Sequence, residues 1–324
     1  MNRLVVPVGL ALLVIGMLVA LGVGTVSLPL HEVWAALVGE ADAQSVAIIR
    51  TLRAPRVVLA ACVGAALAMS GGALQGTLRN PLAEPYLLGV SGGAAVGAVV
   101  AFAFGSASPL VVTLAAFGGA AAATGIVALL ARVATGRAEP RVLLMAGVVV
   151  GAFANAVILV ALADAPPDRI RGALWWMMGS TTDATWGTVA RTALALLVLG
   201  GVLIYRARDL DLLALGEEPA AALGADVDRA ARRTFLVASW LAAATVAAVG
   251  LVGFVGLIVP NLARALGAQS HRAMLVVGGV YGALLLVAAD VCARAIRAPV
   301  ELPLGAVTAL VGVPFFLARL RRVA

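Results

Sequence analysis

The chain changes character at RARDLDLLALGEEPAAALGADVDRAARR, residues 206–233, where eleven of its 39 charged residues lie. Leucines and alanines recur between these charges in a pattern typical of short amphipathic helices that dock on a surface outside a membrane. Gly216 and Gly224 fit the ends of such helices, and Pro219 fits the first turn of the second one. An ordinary solvated loop is the alternative, and the regular apolar spacing weakens it.

The rest of the chain is too apolar for a water-soluble fold. Of its 324 residues, 63% are hydrophobic and 12% are charged, and the mean hydropathy is +1.07. So few charges cannot cover so much apolar surface in water. The period-two alternation of a membrane barrel is missing from the sequence, which favours helices. The sequence therefore predicts an all-α, polytopic membrane protein with one transmembrane domain over residues 1–324.

Ten apolar runs approach the roughly 20 residues that a helix needs to cross the hydrocarbon layer. The predicted spans are 4–24, 56–76, 87–105, 110–132, 141–162, 189–206, 233–250, 252–267, 274–292 and 302–319. An even number of spans places both termini on one side, and fifteen of the 23 arginines then lie on that side. The positive-inside rule assigns this side, together with segment 206–233, to the cytoplasm.

Several functions that the composition allows are not supported by the arrangement of residues. The net charge of +7 comes from arginines scattered at the ends of apolar runs, so nucleic-acid binding is not expected. Cys62 and Cys292 are isolated, as are His31 and His271, and we expect no metal site. Residues 71–77, GGALQGT, lack the lysine of a phosphate-binding loop, so any nucleotide would be bound by another chain.

Two proline-containing breaks interrupt the apolar runs. Residues 79–85, RNPLAEP, separate the second and third spans, and residues 259–261, VPN, fall inside the eighth. Broken backbone at membrane depth is stable only where protein or a water-filled cavity shelters it. Paired breaks in the two halves predict an inverted repeat of spans 2–5 and spans 7–10, as transporters use around a central path.

Four arginines depart from the inside bias at the predicted outer end. Arg53 and Arg56 begin the second span, while Arg294 and Arg297 end the ninth. Guanidinium groups fixed at an outer rim suit carboxylates on a partner protein. Anchoring of helix ends among lipid headgroups explains them equally well. Asp290, four residues before Arg294, can pair with it on one helix face, and we favour this over a proton relay.

Distinctive motifs lie along nearly the whole chain: RAPR at 53–56, GGALQ at 71–75, RNPLAEP at 79–85, LGVSGGA at 88–94, WWMMG at 175–179, LGE at 215–217, GFVGLIVP at 253–260, Asp290 with Arg294, and ELPLG at 301–305. In this order they resemble the motifs of the FecCD-type permeases, the membrane subunits of type II ABC importers for iron-siderophores, haem and vitamin B12. One position departs from the pattern, since Asn261 stands where the family usually has histidine.

The resemblance implies a homodimer in the bacterial inner membrane, with the translocation path at the dimer interface. It also implies two cytosolic ABC ATPase subunits, which bind ATP and Mg, and a periplasmic or lipid-anchored substrate-binding protein. Three groups of site residues carry over: Arg53, Arg56 and Arg294 for docking of the binding protein; Asn80, Pro81 and Leu82 for the cytoplasmic gate; and Leu215, Gly216, Glu217, Ala221, Leu223 and Gly224 for ATPase coupling.

Together these observations predict a permease subunit, not an enzyme, with no cofactor of its own. The resemblance implies a bulky metal chelate as cargo. Iron complexes such as ferric siderophores and haem are the first expectation, because they are the broader class within the family, and cobalamin is the alternative. An ion-driven carrier would need carboxylates embedded along a path, and only Asp290 is a candidate. A channel or membrane scaffold would not need a docking segment as elaborate as 206–233.

Overall fold

The computed structural model describes residues 4–24, 27–105, 108–137 and 139–320. Within these ranges the regular structure is helical throughout, without a strand. The described helices are α1 (Val5–Gly22), α2 (Leu30–Val38), α3 (Ala43–Thr77), α4 (Val90–Ala103), α5 (Pro109–Thr135), α6 (Pro140–Ala163), α7 (Pro167–Met177), α8 (Trp186–Tyr205), α9 (Ala207–Ala214), α10 (Glu217–Ala222), α11 (Val227–Val249), α12 (Val255–Ala265), α13 (His271–Ala295) and α14 (Leu304–Leu320).

Each of the ten predicted spans corresponds to one of these helices. Seven of them, α1, α3, α5, α6, α8, α11 and α13, are long and apolar enough to cross a membrane. The other three, α4, α12 and α14, are apolar but shorter. Helix α12 has 11 residues, which at 1.5 Å per residue span about 16 Å, roughly half of the hydrocarbon layer. The prediction of an all-α polytopic fold is confirmed, and the eighth span is shorter than predicted.

Helix α3 lies at the centre of the bundle, and glycines let its neighbours approach it closely. A Cβ atom on Gly64 would lie 2.1 Å from the Gly282 carbonyl oxygen of α13. A Cβ atom on Gly71 would lie 2.0 Å from the Gly256 carbonyl oxygen of α12. Small residues at such crossings allow direct contact between helix backbones, which membrane helices use for packing.

The predicted break at 259–261 is wrong, because α12 continues through Pro260. Proline has no N–H for the carbonyl four residues earlier, which is that of Gly256. Gln75 Nε2 of α3 donates to this carbonyl at 3.1 Å, so the missing helical bond is replaced from outside the helix. Asn261 Nδ2 donates to the Leu257 carbonyl at 2.8 Å in the same turn.

The actual interruption in the second half lies at residues 250–254, between α11 and α12. Gly250 has a φ of 74° and Phe254 a φ of 68°. In the first half, the predicted break at 79–85 is confirmed: α3 ends at Thr77 and Arg79 has a φ of 50°. Each half thus begins with a long helix, a broken segment and a short helix, α4 or α12. This shared order supports the inverted repeat, which stays a prediction.

Candidate functional site

A buried ion cluster lies at the predicted outer end of α3 and α13. Arg56 Nη2 lies 2.9 Å from Asp290 Oδ1, and Arg294 Nη2 lies 3.0 Å from Asp290 Oδ2. Thr181 Oγ1 donates to Asp290 Oδ1 at 2.5 Å. Asp290 is 1% exposed, so this carboxylate is buried and fully paired. The predicted pairing of Asp290 with Arg294 is confirmed, and the pairing with Arg56 was missed because that residue is distant in sequence.

The three arginines predicted to dock a partner lie close together, but they point into the chain. Arg53, Arg56 and Arg294 are only 7%, 8% and 5% exposed. Arg53 Nη1 donates to the Leu21 carbonyl at 2.7 Å, and Arg294 Nη1 donates to the Val23 carbonyl at 2.7 Å. These bonds satisfy carbonyl groups at the end of α1. The expected open rim of guanidinium groups is therefore absent from these three positions in this structure, and their docking role stays a prediction.

Glu301 covers the outer side of the ion cluster, in the connection before α14. Its Oε1 lies 2.8 Å from Arg56 Nη1, and its Oε2 accepts a hydrogen bond from Thr182 Oγ1 at 2.9 Å. Partial burial tends to raise the pKa of this carboxyl, but the bonds from Arg56 and Thr182 outweigh burial and lower the pKa below its usual value. The charged form of Glu301 is therefore held at the surface of the cluster.

A cavity of about 600 Å³ opens beside the ion cluster. The aromatic rings of Trp175 and Trp176 in α7 form part of its wall. Thr182, Asp183 and Glu301 add polar atoms to the lining. A mostly apolar cavity with a few polar groups is typical of binding sites for bulky ligands. The motifs at 175–179 and 301–305 marked this region in the sequence, but they did not predict that both line one cavity.

The two broken segments meet at the N-terminal end of α12. Glu84 accepts a hydrogen bond from the backbone N–H of Phe254, and Tyr86 Oη accepts one from the N–H of Val252 at 2.6 Å. Glu84 lies in the connection between α3 and α4 and is 9% exposed. Glu84 therefore joins the two broken segments from a buried position.

Gln75 joins the predicted gate segment to α12. Its Nε2 donates to the carbonyls of Ala83 and Gly256, and its Oε1 accepts a hydrogen bond from Arg264. Arg264 Nη2 also donates to Asn261 Oδ1 at 3.1 Å. Asn261, where the resemblance leads one to expect histidine, therefore participates in this network.

The predicted gate residues lie on the side of this network that faces away from the core. Pro81 is exposed, while Asn80 and Leu82 are half-buried. Asn80 Oδ1 accepts a hydrogen bond from the Leu82 N–H at 2.9 Å, a local turn that fixes the shape of the segment. Residues 78–84, which we call the gate loop, contain all three, and their role as a gate stays a prediction.

The charged segment 206–233 forms helices, as its pattern predicted, and is not an ordinary loop. Helices α9 and α10 are followed by α11 from residue 227. Leu210 and Leu213 of α9 are buried against the bundle, at 0% and 4% exposure. Leu215 and Leu223 are 57% and 64% exposed, and Ala221 and Gly224 are also exposed. Residues 206–226, which we call the coupling segment, thus present an apolar surface away from the chain.

Two carboxylates of the coupling segment bond to other parts of the chain. Glu217 lies 3.0 Å from Arg79 Nη2 through Oε1 and 3.1 Å from Arg137 Nη1 through Oε2. Asp211 Oδ1 accepts a hydrogen bond from the N–H of His271 at 2.8 Å and lies 2.7 Å from its Nδ1. His271 is therefore not isolated. It looked isolated in the sequence because its partner, Asp211, is 60 residues away.

Comparisons with known proteins agree over nearly the whole chain. Residues 12–322 match the model of the FecCD transport family. The cobalamin import system permease protein BtuC of Halobacterium salinarum is 44% identical over 275 residues, 85% of this chain and 73% of that protein. The hemin transport system permease protein HmuU of Yersinia pestis is 38% identical over 321 residues, 97% of this chain and 94% of that protein.

The fold also matches a solved structure. That structure is an inward-facing conformation of a transporter assigned to the metal-chelate type of ABC transporters. It superimposes with a TM-score of 0.88 and 29% identity, and the match covers 98% of each chain.

Proposed function

The chain belongs to the FecCD transport family, and on that basis we propose that it is the membrane subunit of an ATP-driven importer for a bulky metal chelate. The observation that carries the proposal is the coupling segment, whose Leu215 and Leu223 are exposed next to a bundle of apolar helices. An exposed apolar surface of this kind marks a site of protein association. The importer permeases among its relatives are transport subunits, and this chain is likewise not an enzyme.

Iron complexes are the first class of cargo that we propose. Relatives named for hemin, Fe(3+)-citrate and iron(3+)-hydroxamate import are 38%, 34% and 35% identical. The cavity beside Trp175 and Trp176, about 600 Å³ in volume, suits a bulky and partly aromatic ligand. Cobalamin is the second candidate, and the 44% identity with a cobalamin permease favours it.

The assembly that we propose contains two copies of this chain, two cytosolic ABC ATPase subunits that bind ATP and Mg, and a substrate-binding protein. Helix α6 offers an apolar surface on which the second copy could pack, because Met145, Phe153, Leu159 and Val160 are 68–76% exposed. The translocation path would follow the two-fold axis, with the gate loop closing it at the cytoplasmic side.

We propose the inner membrane of a bacterium as the location, with both termini in the cytoplasm. The arginine distribution supports this orientation. Residues 1–3 and 321–324, which include Arg3, Arg321 and Arg322, lie outside the described residues. The coupling segment would contact the ATPase through Leu215, Gly216, Ala221, Leu223 and Gly224.

The binding protein would dock at the outer end, near Arg53, Arg56 and Arg294. Their internal partners would have to give way for direct contact, whereas Arg297 is exposed and needs no such change. The variant Arg297→Glu should weaken docking at low salt and less at high salt, because exposed charges are screened. If Arg297→Glu docks the binding protein unchanged at low salt, Arg297 is not a docking residue. Docking would then depend on the buried arginines, or the outer arginines would serve as lipid anchors.

Reconstitution tests the main proposal. The chain, the ATPase and the binding protein encoded beside it would be placed in proteoliposomes, and uptake of haem, a ferric siderophore and cobalamin would be measured. We expect accumulation of one cargo that requires ATP and binding protein. Uptake driven by a proton gradient without ATP would identify an ion-driven carrier instead.

Disulfide cross-linking tests the gate. The variant Leu82→Cys, in a background with Cys62→Ala and Cys292→Ala, should form a disulfide between the two copies when the path is closed. Failure to cross-link in every nucleotide condition would remove the gate loop from the two-fold axis. A Pro219→Cys variant on the coupling segment serves as the matched exposed control.

A further inference from the structure

Glu217 differs from the other residues assigned to ATPase coupling in the direction of its side chain. Leu215 and Leu223 are exposed, so a partner can reach them directly. The Glu217 carboxylate instead lies against Arg79 and Arg137, with one oxygen on each guanidinium group. Both oxygens of the carboxylate are therefore bonded within its own chain.

The two arginines that bond Glu217 come from different parts of the bundle. Arg79 is the second residue of the gate loop and directly precedes Asn80. Arg137 lies in the connection between α5 and α6. Glu217 is the first residue of α10. One carboxylate thus joins the coupling segment to the gate loop and to a third element; we call Glu217, Arg79 and Arg137 the Glu217 bridge.

A groove of about 300 Å³ lies beside the Glu217 bridge. The ion pairs of the bridge therefore matter for the position of α10 relative to the gate loop. The lining of the groove includes Ala221 of α10 on one side and Thr77 and Arg79 on the other. Apolar side chains do not fill this space, so close packing cannot transmit a displacement across it. The ion pairs of Glu217 cross its edge and set the distance between α10 and the gate loop.

The other end of the coupling segment has a separate attachment. Asp211 of α9 bonds both the backbone N–H and the Nδ1 atom of His271, at the start of α13. Leu210 and Leu213 hold α9 against the bundle as well. Helix α9 is therefore fixed by buried packing, whereas α10 is connected to the gate loop by charged side chains near the surface.

We propose that Glu217 is a positioning residue that transmits displacement of α10 to the gate loop, and that it does not contact the ATPase. This inference rests on the proposed function as an ATP-driven permease. When the ATPase pulls or pushes α10, the carboxylate moves Arg79, whose backbone continues directly into Asn80, Pro81 and Leu82. Loss of the carboxylate also leaves two guanidinium groups facing each other, which pushes the gate loop and the α5–α6 connection apart.

The first experiment measures cargo imported per ATP hydrolysed in proteoliposomes. The variant Glu217→Gln keeps the size of the side chain and removes its charge. We expect the ATPase to copurify normally and to hydrolyse ATP at a rate within about twofold of wild type. The ATP consumed per cargo should rise roughly two- to fivefold, the range over which an exposed ion pair can bias a population.

The matched control is Glu218→Gln, the same change one residue further along. Glu218 is exposed and makes no ion pair within the part of the chain that the structure describes. This variant should consume as much ATP per cargo imported as wild type. Arg79→Gln should behave like Glu217→Gln, and the double variant should be no worse than either single one, because both remove the same contact.

A distance measurement gives a second readout that does not depend on transport. Spin labels at positions 82 and 223, in a background without Cys62 and Cys292, report the gate loop and the coupling segment separately. In wild type, ATP should shift both intersubunit distances. In Glu217→Gln, the distance between the labels at 223 should still change while the distance between those at 82 stays fixed.

The outcomes separate this inference from the proposed function. If the wild-type complex imports nothing with ATP, the proposed function fails. If the wild type imports and Glu217→Gln loses its ATPase, Glu217 is an ATPase contact and the inference is overturned. The inference is also overturned if Glu217→Gln consumes as much ATP per cargo as wild type. It is overturned as well if Glu217→Gln and Glu218→Gln lose transport to the same extent.

Discussion

Arg56 and Asp290 form a buried ion pair that joins α3 to α13 across 234 residues of sequence. Arg56 Nε and Nη2 lie 3.0 Å and 2.9 Å from Asp290 Oδ1, and Asp290 is also bonded by Arg294. A carboxylate between two guanidinium groups offsets their charges where water is scarce. The cluster thus fixes how the two long helices meet at their outer ends.

Removal of this carboxylate should be strongly destabilising. We expect Asp290→Ala to lower the free energy of unfolding by about 3–5 kcal/mol, because two buried arginines lose their counter-charge. Glu301→Ala should cost about 1 kcal/mol or less, since the Glu301 side chain is 34% exposed. Thermal unfolding in detergent compares the two variants. Equal losses would mean that Asp290 is not the centre of the cluster.

A backbone contact between α3 and α13 gives a second prediction. A Cβ atom on Gly282 would lie 2.4 Å from the Gly64 carbonyl oxygen, so Gly282→Ala must push the helices apart. We expect a loss of about 1–3 kcal/mol or more in the free energy of unfolding. Gly278→Ala is the control on the same helix, because its nearest neighbour would lie 4.0 Å away. Similar melting temperatures for both variants would argue against this close crossing.

The replaced hydrogen bond in α12 gives a prediction about two positions at once. Gln75→Leu leaves the Gly256 carbonyl without its side-chain donor, which should cost about 1–3 kcal/mol. Pro260→Ala restores a backbone N–H that can bond this carbonyl within the helix. The double variant should therefore lose less than the sum of the single variants. A double-mutant cycle by thermal unfolding measures this coupling, and strict additivity would contradict it.

Local patterns were enough to predict much of this structure. The ten apolar runs, the amphipathic helices at 206–233 and the pairing of Asp290 with Arg294 all depend on residues close in sequence. The break at 79–85 was also predictable, because its prolines lie between two spans. The side on which each helix end lies followed from the arginine distribution and stays a prediction.

The remaining features depend on partners that sequence spacing does not reveal. Proline at 260 predicted a break, but Gln75, at a separation of 181 residues from Gly256, supplies the bond that keeps α12 continuous. Arg53 and Arg294 look like surface groups until the carbonyls at the end of α1 are placed against them. The motifs thus identified the functional regions, while tertiary contacts decided which way the charged side chains point.

The short length of α12 has a consequence for how the chain enters the bilayer during synthesis. An apolar segment that inserts by itself must reach across the hydrocarbon layer, and 11 residues reach about half of it. The polar backbone at residues 250–254 is then left at membrane depth, where protein or a water-filled cavity must shelter it. Tyr86 and Glu84 accept hydrogen bonds from two of its N–H groups, those of Val252 and Phe254. The side chains that shelter this backbone therefore come from the first half of the chain, which is synthesised first.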